Sequence, residues 1–223
     1  MLHLMVVVFA LIGDLVGSRR STSRSGAQAG LETALRATSV VVPPEDRLET
    51  TVGDEFQGVY ADLGRATLAS LLVRLNLPAP MDARCGIGVG EREVFGADRT
   101  PMLQDGEAWW GARAALEVLG EPPGRSRHTA YDDRYAVGAA GPATLVNAFL
   151  ILRDGLVDRL NDRSRRMLRR SLEGASQHQI AAEEGISDSA VSQAFAKGVT
   201  AVRDAQRMFS PSPAPLPSKT PSP

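Results

Sequence analysis

Asp14 and Asp54 are the residues of this sequence best placed to do chemistry. Asp14 follows an apolar, β-branched run, Met5 to Ile12, and precedes Leu15-Val16-Gly17-Ser18-Arg19-Arg20. Asp54 lies in Thr50-Thr51-Val52-Gly53-Asp54-Glu55-Phe56-Gln57-Gly58, a Gly-Asp pair between two alternating apolar segments. Paired carboxylates with phosphate oxygens form the hard-oxygen set that Mg²⁺ prefers. Backbone N–H groups at Val16, Gly17 and Ser18 are of the kind that cradle phosphate, and Ser18 and Arg19 add side-chain donors. Glu55 is either a third metal ligand or a solvated hairpin charge. Taken alone, the first segment reads as a strand leaving the core through a polar turn. The pair of aspartates points instead to a cation shared with a phosphate ligand.

A second constellation lies toward the other end. Ser176-Gln177-His178-Gln179 has the S-x-x-Q spacing of a capping box and opens a helix running to Glu184. Gly185 ends that helix, and Ser187 caps the next, Asp188 to Lys197. Ala181, Gly185 and Val191 fit a helix-turn-helix: a small residue at the crossing, a glycine turn and an apolar lock. The second helix of such a unit enters a DNA major groove. Its outward residues would be Ser189, Ser192, Gln193 and Lys197, since glutamine reads adenine and serine contacts bases or phosphate. Arg163, Arg165, Arg166, Arg169 and Arg170 are candidate phosphate contacts, Arg166 and Arg170 foremost. Leu150 to Phe209 holds ten Lys/Arg against eight Asp/Glu. One copy should therefore bind DNA weakly and with strong salt dependence, and a homodimer would help. The alternative is a helix-turn-helix used only for protein contact.

The elements that must position these residues follow from periodicity. Met5 to Ile12 reads as a buried strand with Asp14 at its carboxyl end, where open sheets place ligands. Ala27 to Ser39, with Leu31, Ala34 and Leu35, reads as an amphipathic helix. Arg47 to Val52 and Phe56 to Tyr60 are hairpin arms, with Asp54 at or near the tip. Asp62 to Leu75 is a helix ended by Asn76-Leu77-Pro78. Arg84 to Glu91 is a strand whose glycines mark close backbone approach. Asp105 to Leu119 is a further helix, and Arg134 to Val137 a last short strand. The order gives an α+β chain, a ferredoxin-like βαββαβ core with helices over one sheet face, followed by a small all-α domain. In Ala143 to Leu160, Leu145, Phe149, Leu152, Leu156 and Leu160 form an apolar stripe for packing.

Composition excludes several classes. The 223 residues carry a formal charge of −1, so no global field attracts nucleic acid or anionic membrane. Cys85 is the only cysteine, which rules out an internal disulfide and fits a cytoplasmic location. The apolar start, Leu2 to Ile12, is too short for a bilayer span of about 20 residues. His3, His128 and His178 are scattered and form no metal motif. The stretch 210–223 is mostly serine and proline and should be disordered.

On these motifs the chain resembles known families. Asp14-Leu15-Val16-Gly17-Ser18 is similar to the first metal motif of class III nucleotidyl cyclases, and Gly53-Asp54 to the hairpin carrying their second metal aspartate. Gly53-Asp54-Glu55-Phe56 also resembles the GGDEF signature of diguanylate cyclases, which share that palm fold. The closer resemblance is to the SatD family, which pairs I-G-D-[IL]-V-G-S-R with G-D-E-F-Q. The C-terminal segment resembles region-4-like and LuxR-like helix-turn-helix units. The resemblance implies a palm domain over 1–142, a connecting helix over 143–162, a helix-turn-helix domain over 163–209 and a tail over 210–223. It implies Mg²⁺ and a nucleoside triphosphate, with metal held at Asp14, Leu15, Asp54 and Glu55. The nucleotide would meet Val16, Gly17, Ser18, Arg19 and Gly53. Two departures count against turnover. Leu48, Glu49 and Thr50 occupy the region of the adenine-reading lysine of cyclases. Trp110 and Ala114 fall where cyclases place an asparagine and an arginine, and Arg113 is one residue off. The expectation is a SatD-like bacterial regulator that binds nucleotide and DNA without catalysis. The alternatives are an active cyclase-type enzyme and a protein-interaction module.

Overall fold

The computed structural model describes residues 7–16, 24–96, 103–119, 127–136 and 142–210. Strand β1 (Val8–Val16) is the middle of a five-stranded sheet. Helix α1 (Arg24–Val41) leads to the hairpin of β2 (Asp46–Thr50) and β3 (Glu55–Tyr60), and α2 (Leu63–Asn76) leads to β4 (Asp82–Gly90). The order β2-β3-β1-β4, with β1 antiparallel to β3 and β4, is the βαββαβ arrangement anticipated from the sequence. A small ribbon of β5 (Glu93–Gly96) and β6 (Leu103–Asp105) follows, and then α3 (Glu107–Glu117). The edge strand β7 (Thr129–Asp132) runs parallel to β4. It lies upstream of the expected Arg134–Val137. Arg134 sits in the following turn, its N–H and guanidinium bonded to Asp132, and Val137 is outside the described residues.

Helices cover both faces of the sheet, not one. Helices α1 and α2 pack on the face of Leu11, Cys85 and Ile87. Helix α3 packs on the other, against Val8, Ala10, Ile12 and Val59. The glycines of β4 explain how. A Cβ built on Gly86 would lie 2.1 Å from the Ala112 carbonyl oxygen, and one on Gly88 would lie 2.2 Å from the Ala112 nitrogen. The backbone of α3 therefore rests directly on the backbone of β4.

Helix α2 starts cleanly because Asp62 accepts a hydrogen bond from the Arg65 N–H at 2.7 Å. It is buried almost all round. Its sheet side meets β1, β3 and β4, and its outer side meets helices from the C-terminal half. The helices of that half are α4 (Ala143–Asp158), α5 (Asp162–Leu172), α6 (Gln177–Glu184), α7 (Asp188–Ala194) and α8 (Thr200–Phe209), of which α5 and α8 pack on α2 and α4 bonds to it through side chains. Segment Phe195–Val199 links the last two through a kink at Gly198, whose φ is 134°. One apolar cluster runs from Leu11 through Leu72 and Leu150 to Val202.

The stripe expected to pack on α4 does so in part. Phe149, Leu156 and Leu160 are partly buried against the core, Leu145 and Leu152 are 68% and 69% exposed, and the fully buried residues are Val146, Leu150, Arg153 and Val157. An arginine inside the buried stripe hides it from a periodicity search. Arg153 survives there because its guanidinium is fully used. It donates to the Thr67 carbonyl at 2.8 Å, the Thr129 hydroxyl at 2.8 Å and Gln206 Oε1 at 3.1 Å. It also pairs with Asp154 at 2.8 Å. Gln206 in turn donates to the Thr67 hydroxyl. These bonds tie α2, β7, α4 and α8 into one polar knot.

Candidate metal and phosphate site

In β1, Asp14 stands directly opposite Glu55 of β3 and Arg84 of β4. Residues directly opposite in a sheet share a face, and this face is the one α3 covers. The carboxylate of Asp14 takes a forked pair from Arg84, Nε to Oδ1 at 2.9 Å and Nη2 to Oδ2 at 2.6 Å. The carboxylate of Glu55 takes a second forked pair from Arg113 of α3, at 3.3 and 3.2 Å. Asp54 lies in the tight β2–β3 turn, closed by Thr51 N–H to Glu55 O at 2.9 Å. Gly53 makes that turn possible with φ 70° and open space around it. The Arg84 guanidinium is held above its ordinary pKa, first by the Asp14 hydrogen bond, against some burial, and then by the charges of Asp14 and Asp54. Three carboxylates and two guanidiniums thus share one end of the sheet.

The other expected residues divide. The side chain of Leu15 is buried in the α1–α2 core and offers no ligand atom, so only its backbone remains available to a cation. Val16 is 45% exposed and ends the strand opposite Asp82. Gly17, Ser18 and Arg19 lie outside the described residues. Trp109 of α3 is buried against the sheet, whereas Trp110 is half exposed and donates through Nε1 to Asp105 at 2.7 Å. Cys85 is fully buried and its thiol is pushed well above its usual range by that burial, which leaves it inert.

A second cluster is not visible in the sequence. His128 was expected to stand apart, but one ligand-type atom from each of Asp82, His128 and Asp158 lies within 4.8 Å of the others. A divalent cation could be shared at that spacing. They come from β4, the turn before β7 and the end of α4, so no local motif announces them. The same acids also serve buried Arg74 of α2. It donates to Asp82 at 2.8 and 3.0 Å and to Asp158 at 2.9 Å, and it pairs with Asp154 at 3.3 Å. His128 sits between the two outer acids, Nε2 3.2 Å from Asp158 and Nδ1 3.8 Å from Asp82. Burial alone would lower the Arg74 pKa; the bond to Asp82, the charges of Asp154 and Asp82 and the bond to Asp158 raise it well above the usual value instead. Beside the partly buried imidazole, Asp158 is lowered to about 2: burial opposes the shift, and the His128 and Arg74 contacts override it. A cation here would have to compete with Arg74.

Local geometry of α6 and α7 follows the sequence closely. Ser176 and Gln179 form the reciprocal capping box, Gly185 takes a left-handed φ of 65°, and Ser187 caps α7 through the Ala190 N–H. Ser189, Ser192, Gln193 and Lys197 are exposed. Arg166 and Arg170 are not open to solvent phosphates in the same way. Arg166 forks onto Glu184 at 2.8 and 2.7 Å, and Arg170 forks onto Glu183 at 2.7 and 2.6 Å and also reaches Glu173.

No family profile and no curated protein sequence matches the chain. Several solved structures resemble part of it, among them three cyclase domains. The monomeric guanylyl cyclase domain of a rhodopsin–guanylyl cyclase fusion from the aquatic fungus Blastocladiella emersonii is 16% identical, with a TM-score of 0.42 over 51% of this chain and 75% of that one. A double mutant of that domain gives 16% and 0.40 over 51% and 74%. The catalytic core of a rhodopsin–guanylyl cyclase with converted specificity, in complex with ATPαS, gives 18% and 0.39 over 51% and 72%. At these identities and scores, likeness does not carry a function across. Among the described residues, no helix is long and apolar enough to cross a membrane.

Proposed function

We propose that the chain is a cytoplasmic regulator whose sheet-end carboxylates bind a nucleoside triphosphate with Mg²⁺ and whose C-terminal helices bind DNA. The observation that carries the first part is the convergence of Asp14, Asp54 and Glu55 with Arg84 and Arg113 at one end of the sheet. The donor set is hard oxygen and suits Mg²⁺. Asp14, Asp54 and Glu55 would hold the ion, which neutralises phosphate oxygens when bound. Arg84 and Arg113 now fork onto carboxylates, and the same planar fork fits a phosphate. A cation held by Asp14 and Glu55 would replace the arginines as the partner of those carboxylates and release both guanidiniums to the polyphosphate. The motif resemblance to SatD proteins and class III cyclases supports a nucleotide as its carrier. The missing lysine before the hairpin, together with Trp110 and Ala114 on α3, supports binding without turnover.

Melting temperatures with each nucleoside triphosphate, with and without Mg²⁺, test the reading. One nucleotide should raise the melting temperature only with Mg²⁺, and Asp14→Ala/Asp54→Ala should abolish the rise. Ligand at a hundred times its Kd stabilises by about 2.7 kcal/mol. No rise with any nucleotide at millimolar concentration overturns it. Phosphoryl transfer is the second reading, favoured by Arg113, whose guanidinium reaches Glu55 despite its one-residue offset. A product assay on the stabilising nucleotide decides between them. The capped α6–α7 pair, with its exposed polar residues on α7, supports the DNA part.

A further inference from the structure

Arg166 and Arg170, the foremost of the arginines that the sequence offers to DNA phosphates, are already neutralised. Arg166 and Arg170 are each forked onto an acid of α6, so their positive charge is matched within the same surface. A different basic surface is not matched. Helix α7 and the α4–α5 junction enclose an open cleft of about 350 Å³. Arg159, Arg163 and Lys197 line it, with the polar Asn161, Ser164 and Gln193, and no carboxylate belongs to the lining. Arg163 has only a distant acid, Glu184 at 3.8 Å, and Glu184 is already forked onto Arg166. Arg159 and Lys197 have no ion pair among the described residues. All three cations are exposed. The cleft also opens beside Gln193, a residue on the outward face of α7.

We infer that this cleft, and not the Arg166/Arg170 face of α5, takes the DNA backbone phosphates when α7 lies in the groove. The inference rests on the DNA-binding reading above and assigns the residues that carry its electrostatic part. Charge complementarity fixes the occupant: three clustered cations flank α7, and its exposed Gln193 lines the same cleft. A backbone phosphate entering the cleft would meet guanidinium and ammonium donors without displacing a resident carboxylate. One approaching Arg166 or Arg170 would have to break a forked pair first.

The test is binding of a fluorescein-labelled duplex to the full chain, followed by anisotropy over a series of KCl concentrations. The variants are Arg159→Gln/Arg163→Gln/Lys197→Gln and the charge-neutral Arg170→Gln/Glu183→Gln. Circular dichroism and melting temperature establish that each variant is folded. The cleft variant should bind more weakly, and its log Kd against log salt slope should fall by about 0.9 for each phosphate that it no longer neutralises. The Arg170→Gln/Glu183→Gln variant should keep the wild-type slope. An unchanged slope in the cleft variant, or a reduced one in Arg170→Gln/Glu183→Gln, overturns the cleft assignment alone. No binding by wild-type protein at low salt overturns the DNA reading itself.

Discussion

Replacing Arg74 with methionine should cost the protein about 3 kcal/mol. The side chain of Arg74 is 0% exposed, and its partners are Asp82, Asp154 and Asp158 at 2.8 to 3.3 Å. Breaking a buried pair by removing one partner costs roughly 3–5 kcal/mol, because the remaining charge is left uncompensated. The lower end applies here, since each acid keeps another partner. Asp154 retains Arg153 at 2.8 Å, Asp158 retains His128 at 3.2 Å, and Asp82 retains Arg165 at 3.5 Å. Urea unfolding measures the loss. Both tryptophans, Trp109 and Trp110, lie on α3, so fluorescence reports the sheet domain while far-UV circular dichroism reports all the helices. The two signals should coincide in the wild type, because one apolar cluster spans both halves. In Arg74→Met both midpoints should fall. A loss below about 1 kcal/mol, the range of an exposed pair, would refute the view that this arginine clamps the C-terminal helices to the sheet.

Packing and charge set two further outcomes. Gly88→Val should destabilise by at least the roughly 1–3 kcal/mol typical of overpacking, because its side chain would run into the backbone of Ala112; a melting temperature equal to wild type would contradict the direct seating of α3 on β4. Acid should loosen the Arg74 cluster. The Asp158 pKa is depressed to about 2 and that of Asp82 is lowered too, so their stabilisation is complete above the ordinary carboxylate pKa of about 3.9. It is lost as pH falls from there through the folded values. An Asp158→Asn variant should therefore show a shallower loss of stability between about pH 4 and pH 2 than wild type, and parallel acid-unfolding curves would count against the assignment.

Much of the sheet domain could be read from residues alone. The apolar run into Asp14, the Gly-Asp turn and the leucine-rich helix after Asp62 are local signals, and each formed an element of the anticipated kind, although the strand expected to stop at Ile12 continues through Asp14 to Val16. The caps at Ser176, Gly185 and Ser187 were legible for the same reason: a cap is a short-range hydrogen bond. The glycines of β4 announced close approach, but alternation could not say that a helix lay on that face. Strand β7 was misplaced because four edge residues carry too little pattern. The buried stripe of α4 was missed because Arg153 looks like a surface residue until Thr67, Thr129 and Gln206 surround it. The grouping of Asp82, His128 and Asp158 depends on contacts across three distant elements, and the pairing of Arg166 and Arg170 depends on how α5 crosses α6. Neither is a property of any one segment.

The most direct test of the central claim is calorimetric titration of a non-hydrolysable nucleoside triphosphate into the protein. It is run with Mg²⁺ and with excess chelator, on wild type, Asp14→Asn and Asp54→Asn. Saturable binding should occur in wild type with Mg²⁺ and vanish with chelator, and each variant should lose it. Binding that persists in both variants, or that ignores Mg²⁺, would contradict a carboxylate-held cation at the end of β1.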